Sequence, residues 1–184
     1  TLLGLVPLAR KGLILPGTPI IVDAKSGVSG AGRTAKQYLL FAEITGNFYP
    51  YSIGRVHRHL SEMEQTLAEE GIEKGRLIFS PHLLPVDRGI LNTMYVQVSD
   101  IPAAQQAIRD AYAGEPLVAA LPGGEMATLA HVVRTPRAAI STTPGAGSTL
   151  IIVSVIDNLL KGASSQAVQN FNLMWNLPET SGLL

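Results

Sequence analysis

Pro144-Gly145-Ala146-Gly147-Ser148-Thr149-Leu150-Ile151-Ile152-Val153-Ser154-Val155-Ile156 is the stretch on which the fold turns. Thr149 to Ile156 is dense in apolar, β-branched residues, the pattern of a strand buried on both faces. The Pro-Gly-Ala-Gly-Ser run ahead of it reads as a hairpin-type turn. So short a link joins antiparallel neighbours, because a parallel crossover needs a dozen residues or more.

Further strand patterns lie on both sides. Pro19 to Ala24, Phe48 to Val56, Arg76 to Phe79 and Ile90 to Val98 read as strands, with Pro116 to Leu121 and Thr128 to Arg134 as edge strands. Helical patterns alternate with them. The first ten or so residues form a helix that Gly12 stops. Thr34 to Ile44 leans helical. Ser61 and Glu64 fit a capping box opening a helix over about Glu62 to Glu70, closed by Gly71. Pro102 to Ala113 and Ala163 to Trp175 complete the set, the last carrying Ala163, Ala167, Phe171 and Met174 near one stripe. Ser80 to Gly89, with two prolines and a glycine, reads as a fixed non-helical loop. The expected fold is α+β: a mixed, largely antiparallel sheet with helices on one face.

Composition narrows the function. The chain has 184 residues, 14 basic and 14 acidic side chains, and no cysteine. A length of this order suits one domain that needs no staple. Lack of cysteine excludes from this chain a disulfide framework, a thiolate metal site and a cysteine nucleophile. Zero net charge gives no support to a nucleic-acid or anionic-membrane surface. The first residue is Thr, inside an apolar pattern, and the expectation is a processed chain or a piece of a longer one.

Four segments could carry chemistry. Lys25-Ser26-Gly27-Val28-Ser29-Gly30-Ala31-Gly32-Arg33-Thr34 follows a strand and opens a helix-like stretch. It nearly matches a phosphate loop, but Arg33 stands where a compact Lys is needed. An anion held by backbone amides and the Lys25 and Arg33 charges is one reading, and a flexible turn with a solvated charge pair is the other. His57-Arg58-His59 with Glu62 holds two of the four histidines. On a strand the two imidazoles share a face, and Glu62 at i+3 can orient His59. General acid–base work, a metal set and a polar surface turn all stay open. Asp157-Asn158 through Gly162-Ala163 follows the strongest strand; the Asn158 amide suits another carboxamide or an Asx-type helix cap. Pro81-His82 through Arg88-Gly89 could line a cleft or simply connect.

In this order the segments resemble the N-acetyl-gamma-glutamyl-phosphate reductase family, of the aspartate-semialdehyde and glyceraldehyde-phosphate dehydrogenase type. The matching stretches are Asp23 to Arg33, His57 to His59 with Glu62, Phe79 to Leu83 with Arg88-Gly89-Ile90, Ile156 to Asn170, and Leu177-Pro178-Glu179-Thr180.

The resemblance implies NADPH-dependent reduction of an acyl phosphate to an aldehyde in arginine biosynthesis, in the cytoplasm. A cysteine thiolate would attack and phosphate would leave. By the same resemblance His59 is the acid–base candidate, oriented by Glu62, with His57 as its rival. Lys25, Ser26, Ser29, Arg33 and Arg58 are substrate-pocket candidates. Asn158 would hold the nicotinamide carboxamide, and Gly162 would admit the cofactor closely. Residues 1–162 are the expected catalytic and dimerisation domain. Residues 163–184 are expected to pack on an N-terminal Rossmann domain, with self-association into a homodimer or homotetramer through the sheet.

Family members carry the cysteine just ahead of where this chain starts, so the chain alone is expected to be inactive. Ser61 stands where the family has Pro, and Pro136 where Asn is expected after Thr135. An aminoadipyl-phosphate reductase of lysine biosynthesis and a non-catalytic dimerisation module are the alternatives.

Overall fold

The computed structural model describes residues 1–32, 34 and 36–184. Arg33, a substrate-pocket candidate, lies outside them. One seven-stranded sheet organises the described chain. Its strands are β1 (Ile20–Gly27), β2 (Tyr49–Pro50), β3 (Leu77–Leu84), β4 (Ile90–Gln97), β5 (Val118–Ala120), β6 (Ala138–Pro144) and β7 (Thr149–Ile156), in the order β2-β3-β1-β4-β7-β6-β5. Four pairings are antiparallel; β1 with β3 and β5 with β6 are parallel.

Helices α1 (Leu2–Arg10), α3 (Leu60–Glu69) and α4 (Ile101–Ala111) cover one face. Ile20, Val22, Leu77, Met94, Val96, Leu150 and Ile152 point into that layer and meet Leu5, Leu8, Leu67 and Ile108. Burying each such side chain stabilises by about 1.5–3 kcal/mol over leaving it exposed. Gly12, at φ 61°, ends α1, and Asp100 caps α4 by accepting from the Ala103 amide at 2.8 Å. A short helix α2 (Phe41–Ile44) and a 3₁₀ turn at Gln37–Leu39 replace the continuous helix expected from Thr34 to Ile44.

Among the described residues the opposite face is covered only near β6 and β7, where Ala127 and Val132 pack on Ala139, Val153 and Val155. Over the central strands it lies open. Ile21 is registered with Ile78 on one side and Tyr95 on the other, and all three are exposed.

Three local expectations are corrected. Ser80 to Leu84 continues β3 rather than looping. The Pro81 carbonyl accepts from the Tyr51 amide, so its nitrogen faces that same short β2 edge and no rung to β1 is lost. Phe48 to Val56 is a strand only at Tyr49–Pro50, because Ser52, Gly54 and Arg55 take left-handed backbone at φ 47°, 81° and 71°. Thr128 to Arg134 is a 3₁₀ turn (Leu129–His131), tied by the His131 ring to the Thr128 amide and hydroxyl. The strand there is β6, which the sequence reading missed.

Candidate functional site

The parallel strands β1 and β3 end side by side, and two groups of candidate residues gather on the helix-covered face near them. The first is a loop held by backbone zippering. The Gly27, Val28 and Ser29 amides donate to the carbonyls of Gly89, Val86 and Asp87. Gly27 is required by this approach: a Cβ there would stand 2.9 Å from Arg88 backbone atoms. Ser26, Ser29 and Gly30 meet at this loop, and Asn158 reaches it from the far end of β7.

Asn158 is buried, and both polar ends of its amide are engaged within the chain. Oδ1 accepts from the Gly89 amide at 2.7 Å, and Nδ2 donates to Ser29 Oγ at 3.0 Å. Asp157, fully buried, accepts from the Arg134, Leu159 and Leu160 amides, with Arg88 Nη1 at 3.6 Å. Burial would raise its carboxyl, but the three amides and the Arg88 charge outweigh this and hold it below the usual carboxylate range. The sequence reading had Asp157 only as a neighbour of Asn158; it fixes the turn from which Asn158 projects.

The second group is the imidazole pair. The His57 and His59 rings meet edge to face at 5.1 Å, and His57 also packs on Phe79 and Tyr51. They meet through a turn, not along a strand. The His59 amide donates to His57 Nδ1 at 3.3 Å, and Arg58 Nε donates to His59 Nε2 at 3.1 Å. Burial pushes the His57 imidazole below its ordinary value, with the His59 and Arg58 charges adding to it. Such a ring is neutral at pH 7 and accepts protons.

The expected roles of Glu62 and Ser61 are corrected. Glu62 forms no hydrogen bond with His59, whose ring is bound by Arg58 and whose amide by His57. His59 itself occupies the N-cap of α3. Ser61 Oγ donates to the Arg58 carbonyl, and Glu64 binds Arg55 and the Gly75 amide, so the capping box does not form.

Ser26 shares its face with Leu83 and Phe79, so both groups lie on the same side of the sheet along β3. Lys25 is not with them. It points to the open face and pairs with Asp23, whose other oxygen lies 3.2 Å from His82 Nδ1. Lys36, unremarked in the sequence, takes its place near the loop: with Val28, Ser29, Gly32, Thr34, Leu39 and Leu40 it lines a cleft of about 270 Å³.

Asn158 has one partner within the chain at each end of its amide, which leaves one lone pair and one N–H free, and a Cβ on Gly162 would meet only ordinary contacts, 3.4 Å at the nearest. Among the described residues no group of three or more His, Asp or Glu side chains could hold a metal ion. Among the described residues no helix is long and apolar enough to cross a membrane.

Residues 1–158 match the family model described as "Semialdehyde dehydrogenase, dimerisation domain". The chain is 45% identical to N-acetyl-gamma-glutamyl-phosphate reductase of Geobacter metallireducens over 99% of its length, and 47% identical to that of Citrifermentans bemidjiense. It spans about half the length of these curated relatives, 54% of each. Among solved structures, aspartate semialdehyde dehydrogenase II of Vibrio cholerae superposes with TM-score 0.72 at 17% identity, covering 95% of this chain and 59% of that one. The structure described as "a probable aspartate-semialdehyde dehydrogenase from Pseudomonas aeruginosa" gives 0.65 at 20% identity, covering 93% of this chain and 58% of that one.

Proposed function

Since the chain belongs to the semialdehyde dehydrogenase dimerisation-domain family, we propose that it is the catalytic and dimerisation half of a cytoplasmic, NADPH-dependent reductase. The reaction is conversion of N-acetyl-glutamyl 5-phosphate to its semialdehyde with release of phosphate, in arginine biosynthesis. The carrying observation is 44–47% identity, over nearly the whole chain, to proteins bearing that reductase's name.

On this reading the thiol nucleophile and the dinucleotide-binding Rossmann part belong to the half of the relatives' length that this chain does not span. The chain supplies three things. Neutral His57 or its partner His59 takes the proton of the attacking thiol as its C–S bond forms. The acyl C–O bond then breaks, and phosphate leaves with the electron pair. Arg58 holds the imidazole that shares its hydrogen bond. Asn158, with a lone pair and an N–H left free, and Gly162 remain the residues of this chain proposed to meet the nicotinamide.

The open face supports the partner reading: Ile78, Ile21 and Tyr95 form an exposed apolar row across three strands, suited to a second copy of this chain. The decisive assay adds N-acetyl-glutamyl phosphate and NADPH to the intact protein. Release of phosphate with oxidation of NADPH supports the reading. No turnover overturns it, and preference for an aminoadipyl phosphate moves it to lysine biosynthesis.

A further inference from the structure

We infer that Asn92 is the positioning residue for the segment leading into α1, its side-chain oxygen accepting a backbone N–H of that segment. The inference rests on the function proposed above, which puts the nucleophilic thiol in that segment, just ahead of Thr1.

Asn92 projects from β4 toward the helix-covered face, as Met94 and Val96 do on the same strand. It stands in register with Ala24 of β1 and Ser154 of β7, two residues inward from the row of Ser26, Ile90 and Ile156. Helix α1 lies against this part of β4. Gly4 allows the approach, since a Cβ there would stand 2.6 Å from Met94 Cε. Three residues earlier Thr1 meets Asn92, whose Nδ2 donates to Thr1 Oγ at 3.4 Å. Thr1 makes no side-chain bond to the first turn of α1, so the helix is open where the chain enters it.

Asn92 is 8% exposed, and its Oδ1 has no partner. Ala24 beside it offers only a methyl group. Native chains seldom leave a buried carbonyl oxygen unmet, so a donor belongs there. That donor is uncharged, because burial pushes the neighbouring amino group of Thr1 down to about 5. A backbone N–H of the entering segment suits the place. It would tie that segment to β4 as well as to α1 and hold its thiol against the candidate site. The substrate's acetamido N–H is the competing donor, and the test separates the two.

The test uses the intact protein and compares Asn92→Leu, which keeps the size and removes both polar ends, with Asn92→Asp, which keeps an acceptor and adds a charge. Asn92→Leu should lower kcat by about tenfold or more, with KM for acyl phosphate and NADPH within about twofold. Asn92→Asp should recover most of that kcat at high pH. It should also raise the midpoint of thiol alkylation by iodoacetamide, followed against pH, by about half a unit or more. A kcat within twofold in Asn92→Leu overturns the proposal. So does a loss confined to KM for acyl phosphate, which would assign Oδ1 to the substrate. An unmoved alkylation midpoint in Asn92→Asp overturns it too, and decides alone if Asn92→Leu does not fold. If no acyl phosphate is reduced, the reductase reading falls and the alkylation midpoints decide the proposal by themselves. An intact protein with no reactive thiol overturns it.

Discussion

Arg55 Nη2 lies 2.9 and 2.8 Å from the two carboxylate oxygens of Glu64 and joins the imidazole-bearing turn to α3. The Gly75 amide adds a third bond to Glu64 at 2.9 Å, and Arg55 Nη1 reaches the Leu77 carbonyl at 3.3 Å. Burial would raise the Glu64 carboxyl, but these bonds and the Arg55 and Lys74 charges hold it low. Its folded pKa is thus below the unfolded one, so its stabilisation is present above about pH 4.5 and lost as pH falls further. Glu64→Gln should destabilise by about 1 kcal/mol at pH 7, the Arg55 side being half exposed, and by less below pH 4. Urea unfolding at both pH values checks this. An equal difference at both would remove the charge from the explanation.

His57 is the titrating group closest to the proposed chemistry. Its depressed folded pKa means that the stability it contributes is present above its ordinary value of 6.5 and lost as pH falls through the folded value. A proton NMR titration of the ring should place its midpoint below 6.5. Phe79→Ala opens the site to water and should move that midpoint up. A midpoint at or above 6.5 in the unaltered chain would rule out burial as the controlling influence.

The strands that read clearly in sequence are those whose pattern is local. Ile90 to Val98 and Thr149 to Ile156 carry enough β-branched residues to stand alone. β6 does not: Ala138-Ala139-Ile140-Ser141-Thr142-Thr143-Pro144 has small and polar residues. It is a strand because β7 supplies its ladder and because both of its faces are covered. Pro81 argued for a loop, and only its place against a two-residue edge makes it harmless. The candidate site divides in the same way. The His57–His59 pairing was legible from spacing, though through the wrong geometry. The bond from Asn158 to Ser29 spans 129 residues, and no spacing rule carries it. Lys25 was misplaced because strand alternation sends it to the face opposite Ser26.

Gly89 holds the loop from the other side. It sits at φ 110°, and a Cβ there would stand 2.6 Å from Leu129 Cδ2. Gly89→Ala therefore carries both backbone strain and a clash, and should cost roughly 2–4 kcal/mol. It should also loosen the amide that fixes Asn158. Denaturant unfolding with an unchanged slope and a lower midpoint is the expected result; an unshifted midpoint would mean that Leu129 and the backbone adjust freely.

The open sheet face makes a separate prediction. Ile21, Ile78 and Tyr95 are 39%, 49% and 38% exposed in the lone chain. A guanidinium in the middle of that row would be desolvated in any sheet-to-sheet contact. Ile21→Arg should convert the self-associated species to monomer in sedimentation velocity, with its circular dichroism unchanged. An unaltered sedimentation coefficient would move the interface elsewhere.

The final helix, α5 (Ser165–Met174), turns its polar side inward. Ser165, Gln169 and Asn172 are buried, whereas Phe171, Leu173, Met174 and Trp175 are exposed. What holds it to the rest is polar. Lys161 Nζ donates to Gln169, Gln169 donates to Glu179, and Asn172 Nδ2 reaches the Glu179 and Ser181 carbonyls at 3.0 Å each. An apolar stripe facing outward, on a helix anchored by hydrogen bonds, fits a missing partner surface, which on the proposed reading is the Rossmann half. In this chain alone the α5 amides should exchange before those of β4 and β7. Trp175 is the only tryptophan, so its emission reports on this patch without ambiguity. Adding the dinucleotide-binding half should shift that emission to the blue and slow α5 exchange together. Protection of α5 equal to that of β7 in the lone chain, or unmoved emission on mixing, would show that the stripe needs no partner.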